Sequence, residues 1–155
     1  MLPCERCGRE VAVRSKGLCP ACRKKELPAK TYRKKKVEGL SDFYKRHIER
    51  IERVGLSYTG RPIHFASSCN VCHVFPKRIY ESVSMDDDNI VYLTNEEHDI
   101  FDRYLDSIDL SGLKERYPIL YTLAMSSYRK IKGRIKERGR LITAFETEEE
   151  SDNRK

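Results

Sequence analysis

The fold is decided by residues 70–102, which read NVCHVFPKRIYESVSMDDDNIVYLTNEEHDIFD. The runs NVCHVF (70–75) and NIVYLT (89–94) are short and rich in β-branched and aromatic residues, so they predict two strands joined by a long polar loop. Thr94 and Glu97 have the spacing of a capping box, which predicts that a helix begins with NEEHDIFDRYLD. The order strand, loop, strand, helix predicts an α+β domain.

Two side chains on this predicted helix are placed to share a cation. His98 and Asp102 are four residues apart, and side chains at that spacing emerge from one face of a helix. His73, at the end of the first predicted strand, adds an imidazole that titrates near neutral pH. The segment therefore combines a candidate metal pair with a candidate base.

The positions of His73, Asn89 and His98 resemble the HNH, or His-Me finger, endonucleases, in particular the phage type. The three residues lie at the end of the first strand, at the start of the second and in the first turn of the helix, as in that family's motif. The resemblance implies a small ββα-metal core with flanking helices. The order of a cysteine module followed by a basic arm is also loosely similar to phage recombination proteins.

The resemblance implies a role for each of these residues in cleaving a phosphodiester bond. His73 would be the general base, and His98 and Asp102 would hold Mg2+ or Mn2+, with Zn2+ as a further option. Asn89 would brace the loop that carries His73. Lys77 and Arg78 would contact phosphate oxygens, or would be ordinary surface charges. DNA is the implied substrate, although phosphate contacts alone do not exclude RNA.

Cys72 departs from the family pattern, because many members have Asp or His immediately before the base as a metal ligand. Three interpretations follow. Cys72 is a small buried hydrophobic residue facing away from the metal, or it binds the ion and favours zinc over magnesium. In the third, Cys69 and Cys72 join His98 and another residue in a structural zinc site that has no open position.

The N-terminal residues 1–26 carry two CxxC pairs, Cys4 with Cys7 and Cys19 with Cys22. Two such knuckles present four thiolates to one ion, which predicts a zinc-ribbon-like module holding a structural zinc. A redox dithiol is the alternative, but no βαβ pattern surrounds these pairs. Because all four positions would be filled by sulfur, this zinc would stabilise the module and take no part in chemistry.

The rest of the chain divides by composition. Residues 27–40 are predicted to form a basic linker suited to phosphate contacts through Lys34, Lys35 and Lys36. Residues 41–145 are predicted to form the main domain. It begins with a helix whose apolar positions are Tyr44, Ile48, Ile51 and Val54, with His47 on its surface. Two further helices are expected on either side of Pro118. Residues 128–140 are rich in Lys and Arg, and 146–155 are predicted to be a disordered acidic tail.

Charge is distributed unevenly over the 155 residues, whose net charge is +7. Residues 81–109 carry ten acidic and one basic side chain, whereas the segments on both sides are basic. Basic segments favour a nucleic-acid partner, and the acidic segment calls for a bound cation or for acids that only solvate the surface. No apolar run is long enough for a membrane span, and the CxxC pairs fit a reducing cytoplasm, that of a host cell if a phage encodes the chain.

These observations lead to a principal hypothesis and an alternative. The first is a metal-dependent HNH endonuclease that hydrolyses DNA in phage recombination or DNA processing. The alternative is a non-catalytic nucleic-acid-binding protein with two structural zinc sites. The sequence does not indicate a target. It does not indicate an oligomeric state either, since it contains no coiled-coil heptads.

Overall fold

The computed structural model describes residues 2–12, 18–22 and 38–154. The chain forms two compact units, residues 1–36 and 37–155. The predicted basic linker, including Lys34, Lys35 and Lys36, falls largely on residues 23–37, which lie outside the described part of the chain.

The N-terminal unit contains a short antiparallel hairpin of strands β1, Leu2–Pro3, and β2, Glu10–Val11. The turn between them closes through a hydrogen bond from the Gly8 amide to the Cys4 carbonyl, 2.8 Å long. Gly8 has a φ of +69°, a left-handed conformation that favours glycine. The CxxC pair Cys4 and Cys7 thus forms the knuckle that its spacing predicts.

The larger unit is built mainly of helices, with one small sheet. Helix α1, Leu40–Val54, comes first and is followed by strands β3, Val71–His73, and β4, Ile90–Tyr92. Helix α2, Asn95–Ser107, follows β4 directly. The C-terminal part consists of α3, Leu110–Arg116, α4, Pro118–Ile131, and α5, Arg140–Asn153. The α+β class is confirmed, and so is the helix break before Pro118.

Strands β3 and β4 pair antiparallel, with Cys72 opposite Val91 and His73 opposite Ile90. Because side chains alternate between the two faces of a sheet, the strands bury different residues on each side. Val71, Ile90 and Tyr92 pack with Phe43 and Ile51 of α1. On the other face, Cys72 and Val91 join the main core with α2 and the C-terminal helices. The sheet is therefore enclosed between α1 and the later helices.

Helix α2 begins as the sequence predicts. The Thr94 side chain accepts a hydrogen bond from the Glu97 amide, and the Glu97 carboxylate accepts one from the Thr94 amide. This reciprocal capping box satisfies two amides at the helix start, so it fixes where the helix begins. The first turn of α2 is thereby held next to the end of β4.

The prediction that residues 146–155 are disordered is wrong for residues 146–153, which continue helix α5. Phe145 is fully buried in the core, which anchors the helix. The acidic side chains that follow meet basic partners from earlier in the chain, with Lys132 at 2.8 Å from Glu149 and Lys114 at 2.7 Å from Asp152. The acidic run 146–153 is therefore stabilised by lysines that are distant in sequence, whereas composition alone predicts that this run is disordered.

The acidic segment at Asp86, Asp87 and Asp88 is compensated by arginines. Arg46 and Arg50 of α1 lie 2.9 Å and 2.8 Å from Asp87, and Arg134 lies 3.2 Å from Asp86 and 2.8 Å from Asp88. These aspartates therefore need no metal ion to offset their charge. The same contacts engage Arg134 of the basic stretch 128–140, which leaves less of that stretch for phosphate.

The placement of His47 on the helix surface is also wrong, because only 1% of this residue is exposed. The buried face of α1 is Phe43, His47 and Ile51, which follow one another at steps of four residues. His47 Nδ1 lies 2.7 Å from the Tyr92 hydroxyl, and Nε2 lies 3.3 Å from the Asp87 carboxylate. The Tyr92 hydroxyl of β4 satisfies Nδ1, whereas the buried Nε2 makes no hydrogen bond, so the burial of this ring is only partly compensated.

His47 should make the folded state sensitive to mild acid. Burial lowers the pKa of His47 below its ordinary value of 6.5, so the folded state holds the ring neutral. The unfolded chain then binds more protons below pH 6.5, and the free energy of unfolding should fall as the pH falls from 7 to 5. Urea denaturation at several pH values checks this, and a His47→Gln variant should show a shallower decline.

Two neighbouring groups also titrate, and their contributions must be separated from that of His47. Although burial opposes it, hydrogen bonds from Arg50 and Arg46 hold the pKa of Asp87 below its usual value of 3.8, so its contribution is lost only in stronger acid. Burial also lowers the pKa of His73, which adds a decline of the same sign in both proteins. Identical slopes for the wild type and His47→Gln between pH 7 and 5 would contradict the prediction.

Candidate metal centres and the cleft beside them

The four cysteines of the N-terminal unit form one cluster. The sulfur atoms of Cys4, Cys7, Cys19 and Cys22 all lie within 4.8 Å of one another, and Cys4 and Cys19 are buried. Cys7 Sγ is 3.8 Å from Cys19 Sγ. Four sulfur ligands at such separations are compatible with a tetrahedral structural zinc site. The cluster that the CxxC spacing predicts is therefore present, and it can hold a structural zinc.

The electrostatics of this cluster favour a bound cation. A hydrogen bond from the Cys19 amide, 3.2 Å from Cys4 Sγ, is the main reason that the pKa of Cys4 falls to about 6. The neighbouring Cys19 and Cys7 side chains raise the pKa of Cys22 to about 12. Four thiolates this close together repel one another, so a divalent ion is what allows all four to be deprotonated together.

A second cluster lies in the larger unit and consists of Cys72, His98 and Asp102. The candidate ligand atoms of the three side chains lie within 4.8 Å of one another. His98 Nε2 is 3.2 Å from Asp102 Oδ2, and Cys72 Sγ is 3.8 Å from Asp102 Oδ1. The first turns of α2 place His98 and Asp102, which were predicted to share a cation, next to each other. The register of the sheet places Cys72, whose role the sequence left open, beside them.

The ring of His98 is fixed by its second nitrogen. Nδ1 donates a hydrogen bond to the Cys69 carbonyl, so Nε2 is the nitrogen presented to Asp102 and Cys72. Metal-binding histidines commonly use this arrangement, in which a carbonyl holds one nitrogen and the other faces the ion. The hydrogen bond with Asp102 is the main cause that raises the pKa of His98. An ion would take the place of the proton between these two groups.

The donor set of this second cluster fits a divalent transition metal or zinc. Imidazole, carboxylate and thiol together form a borderline-soft set of three protein ligands. Cys69 is exposed, and among residues 2–12, 18–22 and 38–154 no fourth Cys, His or acid joins the group. Three protein ligands are typical of a site that keeps a position open. The structural site with Cys69 and Cys72 as joint ligands is therefore not formed.

His73 is half-buried and oriented by a backbone contact. Its Nε2 lies 2.9 Å from the Ser84 carbonyl oxygen, which can only accept, so Nε2 carries the proton and Nδ1 keeps the lone pair in the neutral ring. The ring packs against Phe43 and Tyr44 of α1, with ring centroids 6.2 Å apart in both cases. Burial lowers its pKa, so the ring is neutral at pH 7 and can accept a proton.

His73, His98 and Asp102 line the same open cleft, whose volume is about 260 Å³. Lys77 and Arg78 from the loop after β3 and Tyr44 from α1 also line it. Lys77 Nζ donates a hydrogen bond of 2.9 Å to the Tyr44 hydroxyl, which holds the ammonium group at the cleft wall. The cleft thus presents a neutral imidazole, two members of a cluster that could hold a metal ion, and two cationic side chains to one solvent-accessible space.

Asn89 is fully buried and braces the segment that follows His73. Its side-chain oxygen accepts from the Phe75 amide at 2.8 Å, and its amide group donates to the carbonyls of Phe75 and Val83 at 3.0 Å each. Val83 immediately precedes Ser84, whose carbonyl orients the His73 ring. The Asn89 side chain therefore connects two points of the loop between β3 and β4, Phe75 and Val83, to the residue that precedes β4.

Tyr44 is a residue of the cleft that the sequence did not identify as part of a site. Its spacing on α1 indicates a core position, and it is partly buried as expected. Its contacts with His73 and Lys77 arise only when α1 packs beside β3. No pattern in the sequence signals this contact.

Comparison with known proteins adds no assignment, since no family model, no curated protein and no solved structure matches this chain. Within the described residues, no helix is both long enough and apolar enough to cross a membrane.

Proposed function

We propose that the chain is a metal-dependent endonuclease of the HNH, or His-Me finger, type that hydrolyses phosphodiester bonds in DNA. In this proposal β3, the long loop, β4 and α2 form the ββα-metal core. The observation that carries it is that His73 shares one open cleft with the metal-binding pair His98 and Asp102. Processing or recombination of phage DNA is the proposed context.

His73 acts as the general base. Nδ1 is unprotonated because Nε2 donates to the Ser84 carbonyl, so Nδ1 can take the proton of an attacking water molecule. Burial keeps the ring neutral at pH 7, which places the residue in the form that a base requires. Asn89 keeps the ring in position through the loop and does not itself react.

His98 and Asp102 hold the divalent ion, which is Mg2+ or Mn2+ in the simplest form of the proposal. Such an ion supplies charge stabilisation at the scissile phosphate and at the leaving oxygen. Asp102 is half-exposed, with 52% of its side chain accessible, so the pair faces the cleft and not the core. The products would carry 5′-phosphate and 3′-hydroxyl ends, as in the family that the motif resembles.

Lys77 and Arg78 position the nucleic-acid backbone. Both are exposed, both line the cleft, and cationic side chains there attract phosphate groups. Because such contacts depend on charge, binding of DNA should weaken as salt increases. Neither residue reads the base sequence in this arrangement.

The non-catalytic alternative has less support. A second structural zinc site needs four protein ligands and no open position, whereas the described residues bring together only Cys72, His98 and Asp102. Such a protein would also have no use for a base oriented toward the same cleft. The hydrolytic proposal accounts for both features.

Nicking of supercoiled plasmid by the full chain tests the proposal. We expect nicking with Mg2+, Mn2+ or Zn2+ and none in excess EDTA. Asp102→Asn removes the carboxylate charge from the metal pair and should reduce nicking by roughly 100-fold. The matched control is Asp99→Asn, an exposed carboxylate on the same helix that does not belong to the cluster. Equal nicking by both variants would overturn the assignment of the metal pair.

A further inference from the structure

The position of Cys72 bears on which ion the second cluster binds. Cys72 is fully buried, yet its sulfur is directed toward Asp102 and not away from it, at 3.8 Å from Oδ1. The register of β3 accounts for this direction, because Cys72 lies opposite Val91 on the face that packs against α2. The thiol therefore lies on the buried side of the cluster, and His98 and Asp102 lie on its solvent-facing side.

The separations match those of a common coordination sphere. Zinc binds sulfur at about 2.3 Å and imidazole nitrogen or carboxylate oxygen at about 2.0–2.1 Å, so tetrahedral ligands lie about 3.3–3.6 Å apart. His98 Nε2 lies 3.2 Å from Asp102 Oδ2 and Cys72 Sγ lies 3.8 Å from Asp102 Oδ1, so each distance, measured to a different oxygen of the same carboxylate, is within a few tenths of an ångström of that range. Because all three ligand atoms lie within 4.8 Å of one another, side-chain movements of about 1 Å or less would bring them to one ion.

We infer that Cys72 is the third protein ligand of this ion and that the site therefore selects zinc, or another ion with affinity for sulfur, over Mg2+. The inference rests on the proposed function only for the role of the ion in catalysis, because metal binding by Cys72 is argued from the geometry of the cluster. Binding forms a metal–sulfur bond and releases the thiol proton to solvent. Thiolate is a soft ligand that suits zinc and cobalt, whereas Mg2+ prefers oxygen ligands and retains its waters.

Cobalt substitution of the full chain provides a readout that does not depend on cleavage. One equivalent of Zn2+ is added first to fill the four-cysteine site, and Co2+ is then titrated. A cobalt–thiolate bond gives a near-ultraviolet charge-transfer band, which the wild type should show. The Cys72→Ser variant should lose this band, and its zinc affinity, from a competition titration, should fall by at least about 10- to 100-fold, the loss that changes around metal ligands produce.

Cys69→Ser is the matched control, because Cys69 precedes the same strand, is exposed and does not belong to the cluster. It should keep both the band and the affinity. If Cys72→Ser does not fold, Cys72→Asp replaces it, and this variant should bind Co2+ without the charge-transfer band and bind Mn2+ more tightly than the wild type. A band retained in either Cys72 variant, or absent from zinc-loaded wild type, would overturn the inference.

The two proposals fail separately. Loss of the band in Cys72→Ser together with no nicking under any metal would support the ligand and reject the nuclease. Nicking that requires the Asp102 carboxylate, combined with an unchanged cobalt spectrum in Cys72→Ser, would support the nuclease and reject the third ligand.

Discussion

Replacing His73 by alanine should lower the rate of plasmid nicking by about 100- to 10,000-fold, the range that general acid–base groups contribute. The reason is specific to one atom. Nε2 of His73 is engaged by the Ser84 carbonyl, so Nδ1 is the unprotonated nitrogen of a ring that lines the cleft. Without the ring, water in the cleft has no base at this position. Initial rates of nicking at saturating metal concentration measure the effect.

The design must separate loss of the base from loss of the fold. His73→Gln keeps a donor that can reach the Ser84 carbonyl, so it should remain folded and be as inactive as His73→Ala. His64→Ala is the matched control, because His64 is exposed and lies on the loop before β3, outside this cleft. Wild-type rates in His73→Gln, with circular dichroism showing an intact fold, would remove His73 from the proposed role.

The local parts of the fold could be predicted from the sequence. The two strands and the start of α2 follow from short-range patterns, since a run of β-branched and aromatic residues and a capping box each involve residues close together in the chain. Thr94 and Glu97 predict the start of α2 to within a residue. The four-cysteine cluster could be predicted for the same reason, because each CxxC pair sets its own geometry.

Features that depend on distant residues could not be predicted in this way. His47 is polar and was assigned to the surface, but a hydrogen bond with Tyr92 and the nearby Asp87 carboxylate, both more than 35 residues away in sequence, partly compensate its burial. The acidic run of α5 was assigned to disorder because composition does not show that Lys114 and Lys132 lie opposite it.

Cys72 is an intermediate case. Composition left three interpretations of the residue, but strand alternation contains part of the answer. If Val71 faces α1, then Cys72 must face α2, where His98 and Asp102 emerge. Alternation does not predict the distance between the Cys72 sulfur and the Asp102 carboxylate, because this distance depends on how α2 packs against β3.

Replacing Asn89 by alanine should destabilise the larger unit by about 2–4 kcal/mol, because it leaves two buried backbone groups without a partner. These are the amide and the carbonyl of Phe75, and the Val83 carbonyl loses one of its two hydrogen bonds while keeping the one from the Asp86 amide. For a unit of this size the melting temperature should fall by on the order of 10 °C. Thermal unfolding followed by circular dichroism measures this, and Asn153→Ala, at an exposed position near the end of α5, should stay within about 0.5 kcal/mol of the wild type.

Asn89 is a positioning residue, so its effect on catalysis should differ from its effect on binding. The loop from Phe75 to Val83 leads directly to Ser84, which orients His73. Lys77 and Arg78 lie on the same loop, but they are exposed, flexible cations whose proposed phosphate contacts depend on charge more than on exact position. Below the melting temperature, Asn89→Ala should therefore lower kcat and leave KM for DNA nearly unchanged. Asn89→Asp keeps the acceptor for the Phe75 amide but loses both donated bonds, so its kcat should also fall. A wild-type kcat in a folded Asn89→Ala protein would show that the loop holds His73 without this side chain.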